Sequence, residues 1–234
     1  MKRNLKSLFL ILFLGLFGLI YGQTPKKKYV PEDFQLSRYE HYAFKKKFPQ
    51  EIEAQVLTAL SYYPQLRDTR IKFRFKKRKT PLTSRPRISH VFLPKKWRTH
   101  IITISTKTTE SFDPILFSKL PYNAQIGVLG HEIAHVLDYK SQTSFQLIGL
   151  GFKIGKPAFV DQFEFETDKR TIANGLGYQL LDWSIFVRKA LGITEWKGAS
   201  KTLGSGNIPG ANERYMNPET IKKYITENPL YDTN

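Results

Sequence analysis

Apolar and polar residues along this chain repeat with two different periods, and the boundaries between them divide it into elements. Ile52, Val56, Ala59 and Tyr63 recur at helical spacing behind Pro49, a residue suited to a first turn, and predict a helix from Pro49 to about Tyr62. The period then drops to two. In RIKFRFKK, residues 70 to 77, Ile71, Phe73 and Phe75 alternate with Lys72, Arg74 and Lys76, as in a strand with one buried and one wet face. The two prolines of KTPLTSRP, residues 79 to 86, read as a loop, and Ile88 to Leu93 and His100 to Thr106 read as two further strands.

Beyond Pro121 the helical period returns. Ile126, Leu129, Ile133 and Val136 form an apolar stripe running to about Tyr139. A glycine-punctuated stretch, residues 149 to 157, leads to a predicted helix from Phe159 to Ala173. Another follows from Tyr178 to Ala190, carrying Leu181, Trp183 and Phe186. Residues 198 to 212 are rich in Gly, Ser and Asn and read as a loop, and a short helix opens at Pro218 after Asn217. One helix, three strands and then helices describe an α+β domain with a small mixed or antiparallel sheet.

Two segments stand apart from this pattern. Lys2, Arg3 and Lys6 precede an apolar run from Leu8 to Tyr21 that ends at Gly22, the layout of a secretory signal peptide. Fourteen residues rise only about 21 Å as a helix, short of a bilayer's roughly 30 Å core, so residues 1 to 22 are expected to be cleaved, leaving an exported protein, periplasmic or secreted. Residues 23 to 47, with Lys26 to Lys28 and Lys45 to Lys47, read as a mobile basic leader or short pro-like segment, and the domain proper is expected over residues 48 to 234.

Composition narrows the chemistry. There is no cysteine, which excludes a disulfide-stapled scaffold, a lipid-modified N-terminal cysteine and a thiolate zinc site. Removing the three basic residues of the N-terminal segment from a formal charge of +17 leaves +14, a surplus that attracts anionic surfaces. For an exported protein these are envelope components or acidic proteins rather than nucleic acid.

The candidate chemistry lies in HEIAH, residues 131 to 135. His131 and His135 are about 40° apart around a helix and roughly 6 Å apart along it, so both rings can reach one ion. Glu132 flanks that ion, where a general base must stand. A catalytic zinc site needs a third protein ligand and an open position. The residues that would complete a metzincin motif are absent, with Asp138 and Ser141 in their places. In FEFETDKR, residues 163 to 170, Glu164 and Asp168 share a helix face, where their like charges call for a compensating cation. Glu164 is assigned as ligand and Asp168 as acceptor for the outer N–H of a liganding histidine. Glu166 points the other way, towards a surface pair with Arg170, and Asp138 sits a full turn beyond the ion.

HEIAHVLD, the downstream Glu164 and Asp168, and IANGLGYQLLDW resemble the gluzincins, the group of thermolysin-like and HtpX-like metallopeptidases, over residues 123 to 183. The resemblance implies a zincin-like fold with the sheet packed on the HExxH helix and a following Glu-bearing helix. It also implies zinc on His131, His135 and Glu164, and a protein or peptide substrate laid along an edge strand. Tyr139, Tyr178, Tyr215 and His100 are candidate oxyanion donors. His41 and His90 have no partner at useful spacing and are read as structural. The competing reading is a catalytically silent zincin-fold protein that attaches through its basic surface to an anionic envelope component. Spartan-type proteases, which act on DNA-bound proteins, share the basic charge but not the export segment.

Overall fold

The computed structural model describes residues 23–198 and 213–232. The expected signal segment, and all but the first residue of the expected 198–212 loop, lie outside them. The chain is α+β. Its sheet has four strands, β1 (Lys46–Lys47), β2 (Arg70–Phe75), β3 (Leu82–Pro86) and β4 (Thr99–Ile104), in the order β1-β2-β4-β3. β1, β2 and β4 run parallel, and β3 pairs antiparallel with β4, Leu82 opposite Ile104 and Pro86 opposite His100.

Strand burial follows from this order. β2 alternates as its sequence requires, with Ile71 and Phe73 buried and Lys72 exposed. In β4, an inner strand, every residue from His100 to Ile104 is buried. β3 falls inside the stretch expected to be a loop. Its prolines conceal it, but Pro81 precedes the strand and Pro86 ends it, positions that an edge strand tolerates. The strand expected at 88–93 is instead a 3₁₀ turn, Ile88–His90, with Ile88 and Phe92 turned outwards. Apolar composition suggested a strand there, but no strand among the described residues pairs with it, and Val91 packs against the cluster of Tyr139, Leu147 and Leu150 instead.

Seven α-helices accompany the sheet among the described residues: α1 (Leu36–Tyr39), α2 (Glu53–Leu60), α3 (Tyr122–Ser141), α4 (Ser144–Lys153), α5 (Pro157–Ala173), α6 (Gly177–Leu191) and α7 (Pro218–Thr226). α3 is the hub. It packs against α2, α5, α6 and β3, and its stripe of Ile126, Leu129, Ile133 and Val136 is completely buried. Contact with α6 is close enough to require glycine, since a Cβ on Gly127 would lie 2.2 Å from the Gln179 carbonyl oxygen. α4 occupies the glycine-punctuated stretch, opened by a capping box between Thr143 and Gln146.

The segment expected to be a mobile leader is packed into this core. The Tyr29 N–H donates to Asn123 Oδ1 at 2.9 Å, the Tyr29 and Tyr62 hydroxyls bond at 2.6 Å, and Tyr39 is buried. Lys46 extends its ammonium to the carbonyls of Phe44, Leu66, Arg67 and Thr69. The charge runs drew the expectation. The aromatic rings between them decide the structure, because each buried ring contributes roughly 1.5–3 kcal/mol.

Candidate metal centre

α3 and α5 face each other across the site, α3 carrying His131, Glu132 and His135, and α5 carrying Glu164, Thr167 and Asp168. One oxygen of Glu164, Oε2, lies 3.0 Å from His131 Nε2 and 3.2 Å from His135 Nε2. Both histidines are buried, and one ligand atom from each of His131, His135 and Glu164 lies within 4.8 Å of the others, close enough to bind a metal ion together.

The outer ring nitrogens fix which atoms face inwards. His131 Nδ1 donates to Asp168 Oδ1 at 2.7 Å, and Asp168 Oδ2 accepts from the Met216 N–H at 2.8 Å. The Thr167 hydroxyl donates to the Phe163 carbonyl and therefore accepts from His135 Nδ1, 3.2 Å away. Both Nε2 atoms face the shared Glu164 oxygen, and loss of the Nε2 protons would turn their lone pairs towards the same point. Two imidazoles and a carboxylate so arranged are a donor set for a divalent cation of the zinc class.

Burial pushes the His131 pKa down, but Asp168 and Glu164 outweigh it and hold the ring well above its ordinary value. Burial likewise acts to raise the Glu164 pKa, and the two histidines overcome it and hold the carboxyl far below its ordinary range. Glu132 goes the opposite way. Its burial pushes the pKa up, with only partial opposition from His135 and His131. Its Oε2 is buried with no hydrogen-bond partner among the described residues, and the side chain lines the cleft.

That cleft has a volume of about 360 Å³. Thr80 to Ser84 of the β3 edge form one wall, α5 supplies Val160 and Phe163, and Trp183, Trp196, Arg214 and Tyr215 close the far side. Two of the four expected oxyanion donors reach it. Tyr139 donates to the Ser84 carbonyl at 3.3 Å, whereas Tyr215 places its ring 5.7 Å from that of His131. Burial first, and then the negative charges of Glu164, Glu132 and Asp168, push the Tyr215 pKa well above its ordinary value, so the hydroxyl keeps its proton. Tyr178 packs edge-on against Tyr231, and His100 stacks behind Tyr139; neither lines the cleft.

One expected partnership is corrected. Arg170 reaches Asp138 at 3.3 Å rather than Glu166, which stays exposed, and Asp138 also accepts from Gln142. The i, i+4 rule named a partner on the same helix, but α3 brings a nearer carboxylate across the interface.

The segment 213–217 was not recognised as part of the site. Arg188, buried on α6, donates to the carbonyls of Tyr215 and Met216 and to Asn217 Oδ1, which sets the Met216 N–H against Asp168 and Tyr215 against His131. A lone arginine in an apolar helix pattern was the available signal. No protein-family model, curated protein or solved structure matches the chain.

Proposed function

We propose that the protein is a zinc-dependent peptidase of the gluzincin type, with a zincin-like fold, whose metal is held by His131, His135 and Glu164. The observation that carries this reading is Glu132. A site that bound metal only for stability would not need a buried, unpartnered carboxylate oxygen beside the ligands and open to a cleft.

Zinc, when bound, supplies the Lewis acidity that activates water and polarises a carbonyl. The chain's own residues do the rest. Asp168 and Thr167 hold the two rings in the tautomer that leaves Nε2 free. Glu132 takes a proton from the attacking water and delivers it to the leaving amine, a role suited to a carboxyl whose pKa burial has raised. Tyr215, kept protonated, is the hydroxyl placed to donate to the developing oxyanion. The β3 edge, which borders the cleft, accepts an extended polypeptide by backbone hydrogen bonding.

Glu132→Gln tests the reading. It should lower peptide hydrolysis by about 10²–10⁴-fold while metal content and fold are kept. Undiminished hydrolysis by the variant, or purified protein that takes up no zinc, would remove the proposal.

A further inference from the structure

Outside the cleft, more than half of the exposed large apolar side chains among the described residues gather on α4 and its flanks and on the neighbouring 87–98 segment. Phe145, Ile148, Gly149 and Phe152 follow one another at i, i+3, i+4 and i+7, a single stripe along the helix. Opposite them, Leu147 and Leu150 are buried against Tyr139, with Val91, Phe159 and Phe163 packed around. The outward stripe has no such cover: Phe145 and Phe152 are 85% and 79% exposed. A helix that is apolar on both faces needs a second apolar environment.

The 87–98 segment extends this face. The Ser144 hydroxyl donates to the Val91 carbonyl at 2.8 Å, and Arg98 bonds both Ser144 Oγ and the Gln142 carbonyl, so Phe92, 77% exposed, is carried beside the start of α4. Neither 87–98 nor 141–160 contains an Asp or Glu, while Lys95, Lys96, Lys153 and Lys156 are all exposed. A second copy of the chain would bring this basic rim against itself. An anionic surface with an apolar interior complements both of its features.

We infer that this face docks the protein on an anionic lipid bilayer, with Phe92, Phe145, Ile148 and Phe152 entering the headgroup boundary and the lysines meeting lipid phosphates. Ile154, just past α4, also lines the cleft, so docking sets the cleft mouth beside the membrane surface. On the peptidase reading, the substrate is then a polypeptide segment lying close to the bilayer. The docking itself does not depend on that reading.

The chain has no cysteine, and a side chain added at Gly149 meets nothing within 4 Å, so Gly149→Cys carries one environment-sensitive dye on the stripe of the full-length protein. The dye's emission should shift to the blue with vesicles of phosphatidylcholine and phosphatidylglycerol in equal parts, and stay unshifted with phosphatidylcholine alone. Combining Phe145→Ser with Phe152→Ser should abolish the shift at unchanged circular dichroism. Lys153→Glu with Lys156→Glu should weaken it. Glu132→Gln should leave it intact, which separates docking from catalysis. Bound protein whose dye stays in water overturns the proposal, as does an equal shift on the neutral vesicles. A shift that appears without lipid and grows with protein concentration also overturns it, and assigns the face to a second copy.

Discussion

His131 and His135 stand one turn apart on one helix, yet the walls behind them are built on different principles. Behind His131 stands a charged, relayed wall: the fully buried Asp168, the Met216 N–H, and Arg188 holding the segment that provides it. Behind His135 the wall is neutral and aromatic, with Thr167 on the outer nitrogen and the rings of Phe163 and Tyr139 stacked 4.9 and 6.0 Å away. One histidine is made more basic by a carboxylate, and the other is oriented mainly by shape and a hydroxyl. The first wall therefore depends on residues distant in the chain, and the second mainly on α3 and α5, with β4 behind them.

Glu164 faces the inner nitrogen of both histidines, so its loss should have the largest effect. Glu164→Ala is expected to remove stoichiometric zinc from the purified protein, whereas Glu166→Ala, on the exposed side of the same helix, should leave it bound. Elemental analysis after gel filtration reads the difference. The reverse order would mean that the wrong face of α5 had been assigned to the metal.

Next comes the support of the charged wall. Arg188→Met removes the donor to two main-chain carbonyls and to Asn217, although Ser184 still donates to the Met216 carbonyl and the Trp196 N–H to Asn217 Oδ1. The expected loss is about 3 kcal/mol in urea unfolding of the metal-free protein, from several lost hydrogen bonds of about 1 kcal/mol each. Zinc affinity should fall with it, since the Met216 N–H is no longer held against Asp168. A variant as stable as the parent would show that segment 213–217 is held by other contacts.

The two outer-nitrogen partners can then be set against each other directly. Asp168→Asn should weaken zinc binding by about 10–100-fold, the usual cost of losing a carboxylate behind a liganding histidine. Thr167→Val, which takes only a neutral acceptor from His135, should cost less than about tenfold. Competition with a chelator of known affinity measures both. Equal losses would mean that the charge of Asp168 adds nothing beyond orientation.

The ligand set and Asp168 behind it were the legible part of the site, because helical phase alone puts His131, His135, Glu164 and Asp168 on facing stripes, whereas Thr167 behind His135 went unread. The support behind Asp168 was not legible, since Met216 acts through a backbone N–H, which has no sequence signature, and Arg188 reaches it across 28 residues. In the fold, β2 announced itself by alternation, and so did α3 by its apolar stripe. β3 lacked that signal because an edge strand beside a cleft buries neither face fully, and all five of its residues are half-buried. Charge runs and glycines misdirected the reading of 23–47 and of α4, where ring burial in one and a capping box in the other outweighed local composition.

The smallest expected effect tests the far layer of the neutral wall, where His100 lies stacked behind Tyr139 at 6.3 Å. Burial, reinforced by Arg98 and Lys140, lowers its pKa to about 4, while an unfolded chain leaves histidine near 6.5. Between those values the unfolded state binds the proton and the folded state does not. Stability from this residue is therefore complete above about pH 6.5 and drains away as pH falls towards 4, by about 1 kcal/mol between pH 6 and pH 5. In zinc-free protein, denaturant unfolding at those two pH values should show that extra loss in the parent and not in His100→Gln. Loss of the same size in both would place His100 outside the set of groups that make the neutral wall intolerant of charge, and leave Thr167 and the stacked rings as its whole support.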